Sequence, residues 1–475
     1  MADRPRNQNG VVWLVAWREL RDQLRDWRIV FPMVFLTLIL PFLADFGAML
    51  ALDFTTKYGT PLIAERLVPF LLMVVGYFPI TVSLVIALES FVGEKERGTI
   101  EPLLASPLKD WQLYLGKLLA STITPLFTSY LGIGVYLLGL IYQGIALPDA
   151  NRMAQTLILT TVQAFLMVSG ALLISTQATS VRASNLMASF IVIPMAILIQ
   201  GESIMLFWGN DQILWLAVLG VTILAVLLVR VGVAHFQREA LLGREIDVLN
   251  LRWIGRTFWR NFRAGAANPW SWYRDAVLHT VRKLRASFWA LILMGAGSIA
   301  FGYGWVLDNS QDILRALPSG ELSGLFAAGM PEVSVSFAFI WGHNLRAILV
   351  ILLLGLFSFG VLGVLMYLLN MGVIGAVLAL FSVQGASPVL VALYGILPHG
   401  VFELAGLILS SAAIMNIGIV LVTPRPQQTL GEVLLETIAD WARVGVGLVL
   451  PLLTIAAAIE TWVTPELLSK LILPG

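Results

Sequence analysis

The chain has 475 residues, of which 58% are hydrophobic and only 12% charged, with 30 Lys+Arg against 29 Asp+Glu. Soluble domains carry about twice that charged fraction, so the composition excludes an ordinary soluble enzyme and implies a polytopic membrane protein. The lack of cysteine excludes disulfides, thiolate metal sites and cysteine nucleophiles, and the four histidines are too scattered for a metal-ligand spacing.

The first element spans residues 9–28. Trp13, Trp17, Leu20, Leu24 and Trp27 recur at spacings of four and three, with Arg18, Arg21, Asp22, Arg25 and Asp26 off that stripe. This pattern predicts an amphipathic helix in the membrane interface, its indoles at headgroup depth. No small-residue cleavage site precedes or follows the first apolar run, so no cleaved signal peptide is expected.

A span needs about 20 apolar residues. Runs near 29–52, 67–92, 113–143, 153–179, 184–200 and 212–235 predict six spans, and runs near 286–307, 345–369, 371–395, 401–422 and 444–463 predict five more. The expected fold is therefore all-α, a polytopic helical membrane protein of about eleven spans with amphipathic interfacial helices. The chain divides into an interfacial helix (1–28), a six-span domain (29–236), a basic linker with amphipathic helices (237–285) and a second membrane domain (286–475).

Lys and Arg orient the spans. Arg4, Arg6, Arg18, Arg21, Arg25 and Arg28 precede the first span, Lys95, Arg97, Lys109 and Lys117 lie between the second and third, and Arg182 follows the fourth. The alternate loops are poor in basic residues. The bias predicts a cytoplasmic N-terminus and linker, a cytoplasmic 424–443 loop marked by Arg425 and Arg443, and an outer C-terminus. Within the linker, Arg252, Arg256, Arg260 and Arg263 share a helical face among Trp253, Phe258, Trp259 and Phe262. Beside membrane spans this chemistry points to anionic lipid rather than nucleic acid. Asn268-Pro269 then restarts a helix, with Asn as N-cap and Pro in the first turn.

The connection between the second and third spans is unusual. Gly93 closes the span near Phe91, and Glu94, Lys95, Glu96 and Arg97 are expected to project into the cytoplasm. Thr99 can cap a short helix whose first turn carries Glu101, where the helix dipole favours an anion. Pro102 sits early enough to be tolerated, and Ser106-Pro107 ends that helix and starts a second. A rigid, solvent-facing knob is predicted, the alternative being an ordinary polar loop.

The run Glu94-Lys95-Glu96-Arg97-Gly98-Thr99-Ile100-Glu101-Pro102-Leu103-Leu104-Ala105-Ser106-Pro107, followed by Leu115-Gly116-Lys117, resembles the signature of type-2 ABC exporter permeases. The resemblance covers about residues 10–236, with Pro102 a departure where a plain helix former is usual. It implies that this segment is a coupling helix seated in an ATPase subunit, with Glu94, Glu96, Arg97, Gly98, Thr99, Glu101, Pro102 and Leu104 as coupling residues. The chain has no phosphate loop of its own, since Leu115-Gly116-Lys117 lacks the upstream glycine and ends in leucine. ATP and Mg are therefore expected on an ATPase supplied in trans, with no cofactor in this chain. The resemblance also implies a second permease copy, as a homodimer, in a prokaryotic cytoplasmic membrane.

The second half lacks another charged knob but holds intramembrane polar residues. His343, Asn344 and Arg346 are read at the start of one span, Asn370-Met371-Gly372 as a tight turn, and Pro398-His399-Gly400-Val401-Phe402-Glu403-Leu404 as the opening of another. These motifs resemble the stage II sporulation protein M family over about residues 285–465, which implies a membrane fold and an assembly role. His343 stands where that family often has asparagine. His399 and Glu403 share a helix face and could pair, or Arg346 could pair with Glu403. No third metal ligand and no Gly-x-Ser-x-Gly is evident, so no catalytic or metal residue is expected and a polar clamp between spans is the simpler reading. The function expected is the permease subunit of an ABC exporter. The alternative is a non-transporting scaffold linking an ABC-type ATPase to cell-envelope, peptidoglycan-remodelling partners.

Overall fold

The structure is a computed structural model that describes residues 8–58, 61–101, 105–178, 180–208, 211–236, 251–310, 336–423, 428 and 430–467. Among the described residues every regular element is a helix, and ten helices are long and apolar enough to cross a membrane. Two compact units divide the chain at Leu249/Asn250.

In the first unit, α1 (Gln8–Gln23) stops earlier than its apolar stripe implied. The chain turns at Leu24–Asp26, and the Asp26 carboxylate accepts from Arg28 N (2.9 Å) to cap α2 (Trp27–Tyr58). Trp27 thus belongs to the first span rather than to the interfacial helix. α3 (Pro61–Glu96) packs on α2, α4 (Asp110–Tyr142) and α5 (Ala150–Gln177), and α5 packs on α8 (Asp211–His235). The core around Leu88, Phe91, Leu113, Tyr114, Val168 and Leu172 also takes in Val15 from α1. Val15 lies against Gly116 so closely that a side chain there would collide with it.

The fifth span expected near 184–200 starts and ends later, and a short separate helix precedes it. α6 (Val181–Met187), capped by Ser180 through Ala183 N (3.1 Å), is followed by a turn at Ala188 and by α7 (Ser189–Trp208). α7 has 20 residues, the length a span needs, with Gln200, Gly201, Glu202 and Ser203 as its polar stretch. Gly201-Glu202 does not break this helix: Glu202 stays helical, is buried, and accepts a hydrogen bond from Gln163 of α5. A carboxylate paired inside the bundle needs no loop to reach water.

The second unit opens with α9 (Leu251–Arg263). α10 follows, running from Pro269–Ser271 through a π-helical stretch Trp272–Val277 to Leu278–Lys283. Asn268 caps it as predicted: Asn268 Oδ1 accepts from Ser271 N (2.8 Å), and Ser271 Oγ accepts from Asn268 N (3.2 Å). The spans are α11 (Arg285–Asp308), α12 (Phe337–Phe357), α13 (Val361–Val383), α14 (Pro388–Leu421) and α15. α15 comprises Leu430–Val444, a π-helical turn Gly445–Val449 and Leu450–Trp462. α14 is the hub, with 72% of its apolar window buried, against 17% for α11 and 22% for α12 and α13.

α11 and α13 touch backbone to backbone. A Cβ on Gly302 would strike the Gly372 main chain, and one on Gly375 would strike that of Ile299. Tyr367 donates to Leu291 O (3.0 Å) and Ser298 to Leu368 O (2.6 Å) across the same seam. Small residues permit this approach where lipid supplies no hydrophobic drive between helices.

Three expectations in this half are corrected. The turn falls at Ser358–Gly360, where Phe359 and Gly360 have φ of 50° and 91°. It does not fall at Asn370-Met371-Gly372, which lies mid-α13, with Asn370 Nδ2 returning to Met366 O (2.8 Å). Pro398-His399-Gly400 lies within α14, where the π-helical stretch Ala392–Ile396 precedes the proline and widens the helix ahead of it. The expected 424–443 loop is largely the first part of α15, and Arg425 lies outside the described residues.

Candidate functional site

The exposed turn after α3 is built from charged residues that face inward. α3 continues past Phe91 to Glu96. Rather than projecting into solvent, Glu94 turns to Lys117 of α4 (3.1 Å), whose ammonium also meets Glu19 of α1 (3.3 Å) and donates to Ser90 O (2.9 Å). The Lys117 side chain is 0% exposed and its Nζ lies 5.1 Å from the Phe91 ring centroid. Arg18, largely exposed, closes the group 3.6 Å from Glu94. A charge so enclosed is tolerable only with such partners.

The next two residues fasten the same helix end to its neighbours. Lys95 Nζ donates to Thr176 O (3.3 Å) and Ala178 O (3.0 Å) at the C-terminus of α5, where carbonyls lack helical donors. Glu96 Oε1 accepts from Val181 N (2.7 Å) at the N-terminus of α6. Glu94, Lys95 and Glu96 thus tie α3 to α1, α4, α5 and α6.

Helix α3 then ends in a Schellman motif. Thr99 N donates to Glu94 O (3.0 Å) and Gly98 N to Lys95 O (3.1 Å). Gly98 sits at φ 67°, the left-handed conformation this motif requires and glycine adopts without penalty. Ile100 turns back into the core at 4% exposure, while Arg97, Gly98, Thr99 and Glu101 face outward. Pro102 and Leu104 lie outside the described residues. The second helix expected at Ser106-Pro107 starts later: α4 begins at Asp110, with Gln112 Oε1 accepting from Lys109 N (2.9 Å).

At the surface, Trp13, Trp17 and Trp27 are exposed at 53%, 58% and 70%, and the opposite face of α1 buries Val12, Val15 and Ala16. The helix is therefore sandwiched, with an indole face out and an aliphatic face on α4. Arg252, Arg256, Arg260 and Arg263 are all exposed along α9, which packs on α15, and Arg263 sits 5.0 Å over the Trp259 ring.

The polar residues of the second half do not form one cluster. His343 is exposed and stacked with Phe339 (6.5 Å), and Arg346 is exposed with no ion pair to Glu403 among the described residues. Asn344 is buried and Asn370 bonds within its own helix. His399 and Glu403 do come together, but with Glu460 and Thr464 at the end of the chain's last span. Glu19 and Glu460 carry only a weak signal in the sequence, an isolated charge each, while Lys117 and Ile100 stand in the quoted motif without a sign of their burial.

Taken with the ten apolar helices among the described residues, this arrangement is that of a multi-pass membrane protein with two compact units. Residues 13–205 match the family described as ABC-2 family transporter protein, and residues 290–465 match stage II sporulation protein M. A stretch of 127 residues is 34% identical to the probable ABC transporter permease protein NosY of Pseudomonas aeruginosa, covering 26% of this chain and 43% of that protein. The chain thus spans less than half the length of this curated relative.

Proposed function

We propose that the chain is the permease subunit of an ABC exporter, driven by a separate ATPase that docks on the turn at 94–110. The observation that carries this is an exposed turn, Arg97 to Glu101, standing on a base of three inward-bonded charged residues. A polar loop that merely joined two spans would not need that base. When partner ATPases bind ATP with Mg and close, they displace Arg97, Thr99 and Glu101. The displacement passes through Glu94 to α1 and α4, through Lys95 to α5 and through Glu96 to α6, so the bundle moves as connected helices rather than as one loosened hairpin. A second copy of the chain completes the pathway, with both N-termini on the cytoplasmic side of a prokaryotic cytoplasmic membrane and the C-termini outside. The indole face of α1 and the arginine face of α9 rest on the bilayer surface.

Affinity purification of the tagged full chain from its native membrane tests the proposal. Near-stoichiometric recovery of an ATPase with a phosphate loop is the expected result; recovery of envelope proteins alone would overturn it. The match of residues 290–465 to stage II sporulation protein M favours one second reading, a scaffold that couples such an ATPase to envelope enzymes without moving cargo. ATP-dependent cargo movement in reconstituted vesicles separates the two, since the scaffold supports none.

A further inference from the structure

His399 and Glu403 stand one turn apart on α14, and Glu460, near the end of α15, has the same spacing to Thr464 just past it. One donor atom each from His399, Glu403 and Glu460 lies within 4.8 Å of the others, all three side chains being partly buried. Among the described residues no Lys or Arg pairs with either carboxylate. Two like charges side by side in an apolar bundle repel and are poorly solvated, so the pair takes up a proton or holds a cation between its oxygens.

Histidine geometry identifies which kind of cation. His399 Nδ1 lies 3.1 Å from Thr464 Oγ1, and that hydroxyl directs its own proton to Ile459 O (3.4 Å). In the tautomer whose Nδ1–H donates to that oxygen, Nε2 keeps its lone pair for a ligand. A ligating imidazole held by a hydrogen bond from its other nitrogen is the usual arrangement at metal centres. One neutral imidazole and two carboxylates suit a divalent transition cation better than a hard ion such as magnesium, which prefers oxygen alone.

We propose that His399, Glu403 and Glu460 bind a divalent cation of the zinc class, clamping α14 to α15, with Thr464 orienting the imidazole. Tetrahedral zinc needs donors about 3.3 Å apart, which rotation of the glutamate side chains supplies from the observed separation. Three protein ligands leave a fourth position for water. The site lies at the end of the bundle where Phe337 of α12 stacks on Trp462 (5.9 Å), which is the outer face in the orientation proposed above. The site stands whether or not the chain is a permease.

The test uses full-length chain, purified in detergent without a histidine tag and stripped with chelator. Zinc alone is titrated in by calorimetry, and bound metal is counted after gel filtration. The expected result is about one zinc per chain. Glu460→Gln and His399→Ala should abolish binding, His343→Ala should leave it intact, and Thr464→Val should weaken it on the order of tenfold. Failure of the unaltered chain to bind, or undiminished binding by Glu460→Gln, overturns the proposal. Should those variants not fold, X-ray absorption on the zinc-loaded unaltered chain decides. One nitrogen with oxygens at about 2.0–2.2 Å supports the site, and a shell of oxygen alone or of several nitrogens overturns it.

Discussion

Each unit buries an ionic cluster, and the two clusters are made differently. In the first, Lys117 is sealed between Glu19 and Glu94 and joins three helices, one turn below the exposed Arg97. In the second, Asp440 pairs with Arg443 (2.9 Å) and Lys283 (2.6 Å), and Arg443 donates to Thr280 (2.8 Å). Lys283 keeps 29% of its side chain exposed, and the cluster joins α10 to α15. An enclosed charge is a stiff joint because separating it from its partners costs far more than rearranging a solvated pair. In the proposed mechanism the first cluster is the base of a lever, whereas the second is a seam along amphipathic helices.

Breaking the joints should rank them. Lys117→Met leaves two mostly buried carboxylates with only the exposed Arg18 beside them and should cost about 3 kcal/mol, read as a lowered unfolding midpoint in detergent. Adding Glu19→Gln and Glu94→Gln to that variant should recover most of the loss. Asp440→Asn removes two charge-assisted contacts in the second unit and should cost about 1.5–3 kcal/mol. Gly375→Ala forces α13 off α11, an overpacking loss of about 1–3 kcal/mol, confined to the second unit and visible as faster proteolysis there. Lys283→Met is the smallest of the set, under about 1 kcal/mol, since that ammonium is partly solvated. If Lys117→Met proved no worse than Lys283→Met, the distinction between lever base and seam would fail.

The sequence reading located the spans well and the joints poorly, for a physical reason. Long apolar runs declare themselves through length, and the Asn268-Pro269 cap and the Trp13/Trp17 face through local pattern. Pairings between distant elements leave no such trace. Glu460 meets His399 from 61 positions away (460 − 399), and Lys117 reads as a basic residue at a span boundary until α1 and α3 enclose it. The bounds of the 184–200 span shift because composition does not show the break at Ala188, or the bond from Gln163 to Glu202 that lets α7 run on to Trp208. The turn placed at Asn370 has a similar origin: Asn and Gly mark turns in water, but inside α13 the asparagine satisfies itself on Met366 O and the glycine serves close packing.

The least disruptive change is the most informative about the lever. Arg97 and Glu101 are exposed and free of the inward bonds that hold Glu94, Lys95 and Glu96, so Arg97→Glu with Glu101→Arg should alter stability by less than about 0.5 kcal/mol. Reversing both charges at a docking surface would nevertheless turn attraction into repulsion, and recovery of the co-purified ATPase should fall about tenfold, equivalent to 1.4 kcal/mol. Glu96→Ala makes the control: it strips the acceptor from Val181 N and should cost on the order of 1 kcal/mol of stability, so any loss of ATPase there mixes docking with loosening of α6. A stable Arg97/Glu101 variant that still recovers its ATPase in full would show that the motor does not grip the outer face of this turn, and would leave the buried Lys117 joint as a structural fastening only.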